Sequence, residues 1–246
     1  MGELIAVLSG KGGTGKTSVC AGIATALAAT NRRVLCIDCD VGLRNLDISL
    51  GLSDTASLSF LEVCRGTYPI SQATAHPLYP SLRFLTAPMT CGIDAIDPVA
   101  FGELVHDART VFDYILLDAP AGVDAGLRLA SSYADRCIVV TGPSPAAIRD
   151  AERTGQLLEL MGKQNVRLIV NRVNKKMISA MSLSIDDVMD GAGLPLLGIV
   201  PEDLNVTLAA AVGTPLLKYK PRCAAAKAFR KIAKRVQGFP EPISLR

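Results

Sequence analysis

Seven short apolar runs set the limits on what this chain can fold into. "ELIAVLS" (3–9), "RVLCID" (33–38), "LRFLTA" (82–87), "YILLDA" (114–119), "RCIVVTG" (136–142), "VRLIVNRV" (166–173) and "LLGIVP" (196–201) are near-continuously apolar rather than alternating. Strands read this way when both faces of their sheet are covered, because no position then faces water. Helix-forming stretches separate them, clearest over 16–30, 98–112, 125–133, 145–162 and 222–237. Such a β-α repeat predicts an α/β fold: a single-domain, doubly wound, mostly parallel sheet with helices on both faces and right-handed crossovers. Residues 1–239 show no linker, charge block, low-complexity tract or repeat and read as one domain, while 240–246 form a short proline-containing tail. The less regular segment 53–81 is expected to hold short helices packed over one face.

Composition narrows the function classes. A net charge of +3 is too small to argue for nucleic acid as a partner, and 49% hydrophobic residues fit a globular core. Seven cysteines, an odd count, point to free thiols in a reducing compartment. Cys36 and Cys39 form a C-x-x-C, but on a strand positions three apart face opposite ways, so a metal or redox pair is not expected. The start "MGELIAVLSG" has no basic leader region, and Ala6 breaks the myristoylation pattern. The longest apolar run, near 19–29, is shorter than the ~20 residues a bilayer requires. A cytoplasmic protein is expected. His76 and His106 lie in unrelated stretches and read as surface or edge residues.

Between the first strand and the first helix lies "SGKGGTGKTS", residues 9–18, in which Gly10–Thr17 satisfies G-x-x-x-x-G-K-[ST]. Its candidate nucleotide-binding residues are Gly10, Lys11, Gly12, Gly13, Thr14, Gly15, Lys16, Thr17 and Ser18. Glycines let backbone N–H groups turn towards phosphates, and the following helix N-terminus adds partial positive charge there. Lys16 suits the β- and γ-phosphates and the Thr17 hydroxyl suits Mg²⁺, so ATP or ADP with Mg²⁺ is the expected cofactor set. Two further strands end in carboxylates, "IDCD" in Asp38 and Asp40, and "LLDAPAG" in Asp118. Ligands of open α/β sheets sit outside the carboxyl ends of strands, so all three aspartates should face the phosphate loop. Lys11 is surplus to a loop that needs one lysine.

"KGGTGKT" (11–17) resembles the deviant Walker A loop of the MinD/ParA family of dimerising ATPases, P-loop NTPases in fold. The resemblance implies that Lys11 reaches across a nucleotide-sandwich dimer to the partner's phosphates, making Lys11, Lys16 and Asp40 the catalytic set. "DCDVGLRNLDISLGL" (38–52) is similar to the first switch of the MinD branch, and "DAPAG" (118–122) to its second. By that match Asp40 orients the attacking water, while Thr17, Asp38 and Asp118 serve Mg²⁺. Arg44, Asn45, Pro120 and Gly122 line the switches. "VNR" (170–172) and "VPED" (200–203) match the segments that cradle adenine, implying base contacts from Asn171, Arg172, Pro201, Glu202 and Asp203. "PSPAAIRDAERT" (143–154) looks like an exposed partner helix.

The activity implied is slow ATP hydrolysis, activated by dimerisation, in a spatial switch for septum placement. Implied partners are an ATP-dependent second copy, a division inhibitor and an ATPase activator. Flagellar-number regulators, ParA-like chromosome- or plasmid-positioning ATPases and a soluble adaptor switch are the alternatives. "AAAKAFRKIAKRVQGF" (224–239) is basic and amphipathic, with Phe229, Ile232, Ala233 and Val236 on one stripe, and aligns with the family's last core helix. Its cations imply only weak contact with anionic lipid at the inner face of the cell membrane.

Overall fold

The computed structural model describes residues 1–89 and 91–243. The first half of the chain runs β1 (Glu3–Leu8), α1 (Lys16–Ala28), β2 (Val34–Asp38), α2 (Leu46–Leu50), α3 (Phe60–Cys64), β3 (Thr74–His76), β4 (Tyr79–Leu85), α4 (Pro98–Val111) and β5 (Tyr114–Asp118). The second half runs α5 (Ala125–Ser132), β6 (Arg136–Thr141), α6 (Pro145–Leu160), β7 (Val166–Val173), α7 (Lys175–Ala180), α8 (Ile185–Ala192), β8 (Leu196–Pro201), α9 (Leu204–Ala211), α10 (Leu216–Tyr219) and α11 (Ala224–Val236). The strands form one sheet in the order β3-β4-β2-β5-β1-β6-β7-β8. Every pairing is parallel except β3 with β4.

All seven apolar runs are strands, and the central ones are buried along nearly their whole length. Their side chains alternate between two cores. Leu4, Ala6 and Leu8 join the core with Phe101, Leu127 and Leu158, whereas Ile5 and Val7 join the core with Ile23 and Phe229. Cys36 and Cys39 go to opposite cores, which disposes of a paired-thiol site there. Leaving β1 the chain moves towards β2 with α1 on one face; from β4 onward it moves the other way with α4, α5 and α6 on the opposite face. Right-handed crossovers demand that change of face when direction reverses. The reversal opens a crevice at the carboxyl end of β1.

Several elements differ from the sequence reading. The fourth strand starts at Tyr79 rather than residue 82, because its first residues pair with the short antiparallel β3. His76 sits on that edge strand but is only 2% exposed, not a surface residue. Its Nε2 donates to the Leu50 carbonyl (2.7 Å) and its Nδ1 accepts from the Leu78 amide (3.0 Å), which ties the edge hairpin to the end of α2. The 53–81 segment does hold short helical pieces, α3 with a Ser59–Glu62 capping box and a 3-10 turn at Ile70–Gln72. Four helices, α7 to α10, were not legible as periodic stretches, being four to eight residues long.

The amphipathic α11 buries Phe229, Ile232, Ala233 and Val236 to within 2% of full cover. Phe229 lies flat in a notch at Gly22 of α1, where an added β-carbon would stand 2.5 Å from its ring. Burial of such a side chain stabilises by about 1.5–3 kcal/mol. The apolar stripe is thus spent on the core, and the cations of this helix, together with Ala224 at its start, are left towards solvent. Among the described residues no helix is long and apolar enough to cross a membrane.

Candidate nucleotide site

The loop from Ser9 to Lys16 is shaped by its glycines. Gly13 and Gly15 adopt φ of 82° and 83°, the left-handed region where a β-carbon is strained. Beside Gly12 and Gly13 nothing stands within 4 Å of a would-be β-carbon, whereas at Gly10 one would meet the Asp150 carbonyl of α6 at 2.5 Å. One side of the loop is therefore clamped against α6 and the other is open. Helix α1 begins without a side-chain cap or an acidic residue in its first turn. Its free N–H groups and dipole leave the N-terminus ready for an anion. Ser9 Oγ donates to the Lys11 carbonyl (3.0 Å), fixing the turn from within.

The three strand-end aspartates do converge on it. Asp38 and Asp118 lie in register on the adjacent strands β2 and β5. Lys16 Nζ stands 2.7 Å from Asp118 Oδ1, with side chains 6% and 1% exposed. Burial by itself would lower the Lys16 pKa, but the Asp118 carboxylate outweighs it, and the amine stays protonated with its pKa above the usual lysine value. Asp118 Oδ2 is buried with no hydrogen-bond partner among the described residues, and Thr17 lies against the same carboxyl. An orphaned carboxylate oxygen next to a hydroxyl, at the mouth of a phosphate loop, fits a hydrated Mg²⁺.

Asp38 works differently. Its oxygens accept the backbone amides of Asp40 (2.9 Å) and Leu46 (3.1 Å), so it holds both ends of the turn between β2 and α2. Burial, then the neighbouring Asp118 charge, push its carboxyl up to about 7. Asp40 is half-buried, raised by burial and opposed by Lys16, and its carbonyl accepts the Leu43 and Arg44 amides. Arg44 follows at φ 44° and pairs with the buried Asp47 (3.0 Å), while Asn45 starts α2. In the second switch, Gly122 at φ 103° donates its amide to the Ser9 carbonyl (3.0 Å), joining it to the phosphate loop. Pro120 packs so closely on α5 that a β-carbon at Gly126 would stand 2.1 Å from its ring.

Lys11 is 48% exposed and lies 3.9 Å from Asp150 of α6, outside the Lys16–Asp118 pair. On the far side of the loop, a cavity of ≈ 470 Å³ is lined by Gly15, Ser18, Asn171, Arg172, Pro201, Glu202 and Asp203, with Leu204, Val206, Thr207 and Phe229. All five candidate base contacts thus meet beside the phosphate loop. Asn171 is 6% exposed and its Nδ2 donates to the Thr14 carbonyl (2.8 Å). A β-carbon at Gly15 would collide with that amide at 2.4 Å. Arg172 takes φ 54°, which turns its side chain out of the strand's alternation. Asp203 caps α9 through the Asn205 amide (3.0 Å) and binds the Ala225 amide at the start of α11 (3.1 Å). Burial opposes its charge, but these amides prevail and hold its carboxyl below the usual range.

Sequence reasoning missed the α9 wall of this cavity (Leu204, Val206, Thr207), the Phe229 edge, and Asp150 as the neighbour of Lys11. An Asp203 N-cap ahead of "LNVTLAAA" was the available signal for α9. Nothing local marks the other two.

Residues 5–216 match the CobQ/CobB/MinD/ParA nucleotide binding domain. Septum site-determining protein MinD of Synechocystis sp. is 37% identical over 98% of this chain and 92% of its own length. The protein of the same description from Bacillus subtilis is 38% identical over 100% of this chain and 92% of its own. Among solved structures, the MinC:MinD cell division complex of Aquifex aeolicus superposes with TM-score 0.91, 36% identity and 98% coverage of each chain. MinD of Pyrococcus horikoshii in complex with Mg-ADP gives TM-score 0.84 and 30% identity over 96% of each. On its loop, its switches and its near full-length likeness to these proteins, the chain belongs to the CobQ/CobB/MinD/ParA nucleotide-binding family, on the MinD branch.

Proposed function

We propose that this protein is a MinD-like Mg²⁺-dependent ATPase that acts as a spatial switch in septum placement, dimerising around ATP and recruiting a division inhibitor. The observation that carries the reading is the buried Lys16–Asp118 pair with its free Asp118 Oδ2, set at a phosphate loop of deviant sequence. The likeness to MinD proteins over nearly the whole chain supports the cellular role. Residues 1–239 act as the ATPase domain and 240–246 as a tail, of which 244–246 lie outside the described residues.

Thr17 and Asp118 would hold Mg²⁺, with Asp38 beside them at the end of the adjacent strand. Mg²⁺, when bound, would supply charge that neutralises the phosphate oxygens. Lys16 and the amides of Gly10 to Ser18 cradle the phosphates; Asn171, Arg172, Pro201, Glu202 and Asp203 enclose the base. Asp40 orients the attacking water. Phosphoryl transfer is mostly positioning and charge stabilisation, so a monomer that lacks one cation is slow. Lys11 supplies that cation in trans when two ATP-bound chains meet, and its place on the loop's outer side beside Asp150 supports this. Arg44, Asn45, Pro120 and Gly122 transmit the nucleotide state, because both switches hydrogen-bond to the aspartates or to the loop itself. Hydrolysis then ends partner binding.

An Aquifex aeolicus neighbour is a MinC:MinD complex, which supports a division inhibitor as the partner of this chain; an ATPase activator completes the cycle. The place of action is the cytoplasm. Contact with the inner membrane face is weak and electrostatic, through α11 cations. The test is molecular mass in solution with ADP and with ATP, on wild type, Asp40→Ala and Lys11→Ala/Asp40→Ala. ATP should double the mass of Asp40→Ala, and loss of Lys11 should abolish the doubling. A mass that never responds to nucleotide refutes the switch.

A further inference from the structure

A second cavity, of ≈ 400 Å³, opens at the far edge of the sheet and shares only Pro201 with the lining of the nucleotide cavity. Its floor is apolar: Val173 at the end of β7, Ile199 and Pro201 of β8, and Ala224 and Ala228 of α11. Its rim is cationic, with Lys175 from the start of α7 and Lys227, Lys231 and Arg235 from one face of α11. Among the described residues no carboxylate lines it. Among the described residues, no acidic side chain lies within ion-pair distance of Lys175, Lys227 or Lys231. The cavity borders β8, which ends the sheet and pairs only with β7. Three ammonium groups without an ion-pair partner among the described residues, around an apolar floor at the last strand of the sheet, call for an occupant that is extended, acidic and apolar.

The chain's own tail shows how backbone is read there. Glu241 pairs with Lys234 (3.0 Å), and Arg235 donates to the carbonyls of Glu241 (2.8 Å) and Pro242 (2.7 Å) while also holding the Leu197 carbonyl of β8 (2.9 Å). Ile243 then forms part of the cavity wall. An extended segment with a carboxylate and an aliphatic side chain therefore already rests on one lip of the cavity. Among the described residues Lys175 and Lys227 are left over, and Lys231 feels the Glu241 charge only from beyond ion-pair distance.

We propose that this cavity is a docking site for an extended acidic peptide segment of a partner protein, with an aliphatic side chain on the apolar floor and carboxylates on Lys175, Lys227 and Lys231. The proposal does not depend on ATP hydrolysis or on the nucleotide-sandwich dimer. The site lies across β8 and α11, away from Lys11.

The test is selection of a random seven-residue peptide display library on the full chain, followed by titration of the synthesised winners. Titrations use wild type, Lys227→Glu/Lys231→Glu, and Lys218→Glu/Lys220→Glu as a charge-matched control outside the cavity. Circular dichroism confirms that each variant is folded. Winners should combine Asp or Glu with Ile, Leu or Val. They should lose about tenfold or more in affinity on Lys227→Glu/Lys231→Glu and much less on the control, because rim charges act locally and the two reversals remove the complementary field. Winners without carboxylates, equal loss on both variants, or no enrichment would overturn the proposal. Phosphatidylglycerol vesicles run in parallel; vesicle binding that needs Lys227 and Lys231, without acidic-peptide binding, would assign the cavity to lipid and overturn it too.

Discussion

Replacing Lys16 by methionine tests the electrostatic argument at its strongest point. The Lys16–Asp118 pair is 2.7 Å long and almost wholly shielded from water. A buried pair that loses one partner leaves an uncompensated charge, which costs about 3–5 kcal/mol, whereas replacing both partners with apolar groups is close to neutral. Lys16→Met and Asp118→Asn should therefore each destabilise the nucleotide-free protein by about 3–5 kcal/mol. The double variant Lys16→Met/Asp118→Leu should be no worse than either single change. The pH dependence adds a second signature. In the wild type, burial and Asp118 raise the Asp38 carboxyl from 3.8 to about 7, so the folded state binds a proton that the unfolded chain does not. Stability from this source is present at low pH and lost as pH rises towards about 7. Without Lys16, two carboxylates face each other across β2 and β5 with no cation, and the slope steepens. With Asp118→Asn, the Asp38 carboxyl loses a raising charge, and the slope flattens. Urea unfolding followed by circular dichroism from pH 5 to 8, at constant m-value, reads both effects. Additive losses in the double variant, or single losses below about 1 kcal/mol, would show that the pair is not the clamp its burial implies.

Phe229→Ala should cost about 3–5 kcal/mol, because the Gly22 notch cannot collapse around the missing ring; it should also weaken ADP, since Phe229 borders the Asn171 cavity. Asn171→Ala removes the amide that braces Thr14, and calorimetry should show ADP affinity falling by about tenfold, or 1.4 kcal/mol, with little change in melting temperature. Asp203→Ala strips a cap from α9 and an acceptor from α11, and should lower stability by about 1–2 kcal/mol in urea titrations. Burial holds the His76 ring below its usual pKa, so below pH ~6.5 the unfolded chain takes a proton that the folded ring resists. The wild type should lose stability relative to His76→Gln as pH falls through that point, and parallel curves would refute the assignment.

Local pattern alone determined a great deal of this protein. Strands that are apolar at nearly every position belong inside a covered sheet, so the runs at 3–9, 114–119 and 136–142 announced a parallel α/β fold before any contact was known. The phosphate loop was equally legible, because its chemistry needs glycines, a lysine and a hydroxyl at fixed spacing, and so was the convergence of the strand-end aspartates on it. The tertiary structure decided what depends on residues far apart in the chain. The Lys16–Asp118 bond spans 102 positions, and the Asn171–Thr14 bond spans 157. Asp38 could be placed at a strand end, but its two backbone amides appear only once the switch turn is folded. The stripe on α11 has the same amphipathic spacing whether it faces lipid or core; the Gly22 notch in α1 settles it for the core. The short helices α7 to α10 and the antiparallel edge strand escaped the sequence for a related reason. Below about two turns a hydrophobic period is too brief to declare itself, and packing against the sheet supplies the stability that local propensity lacks.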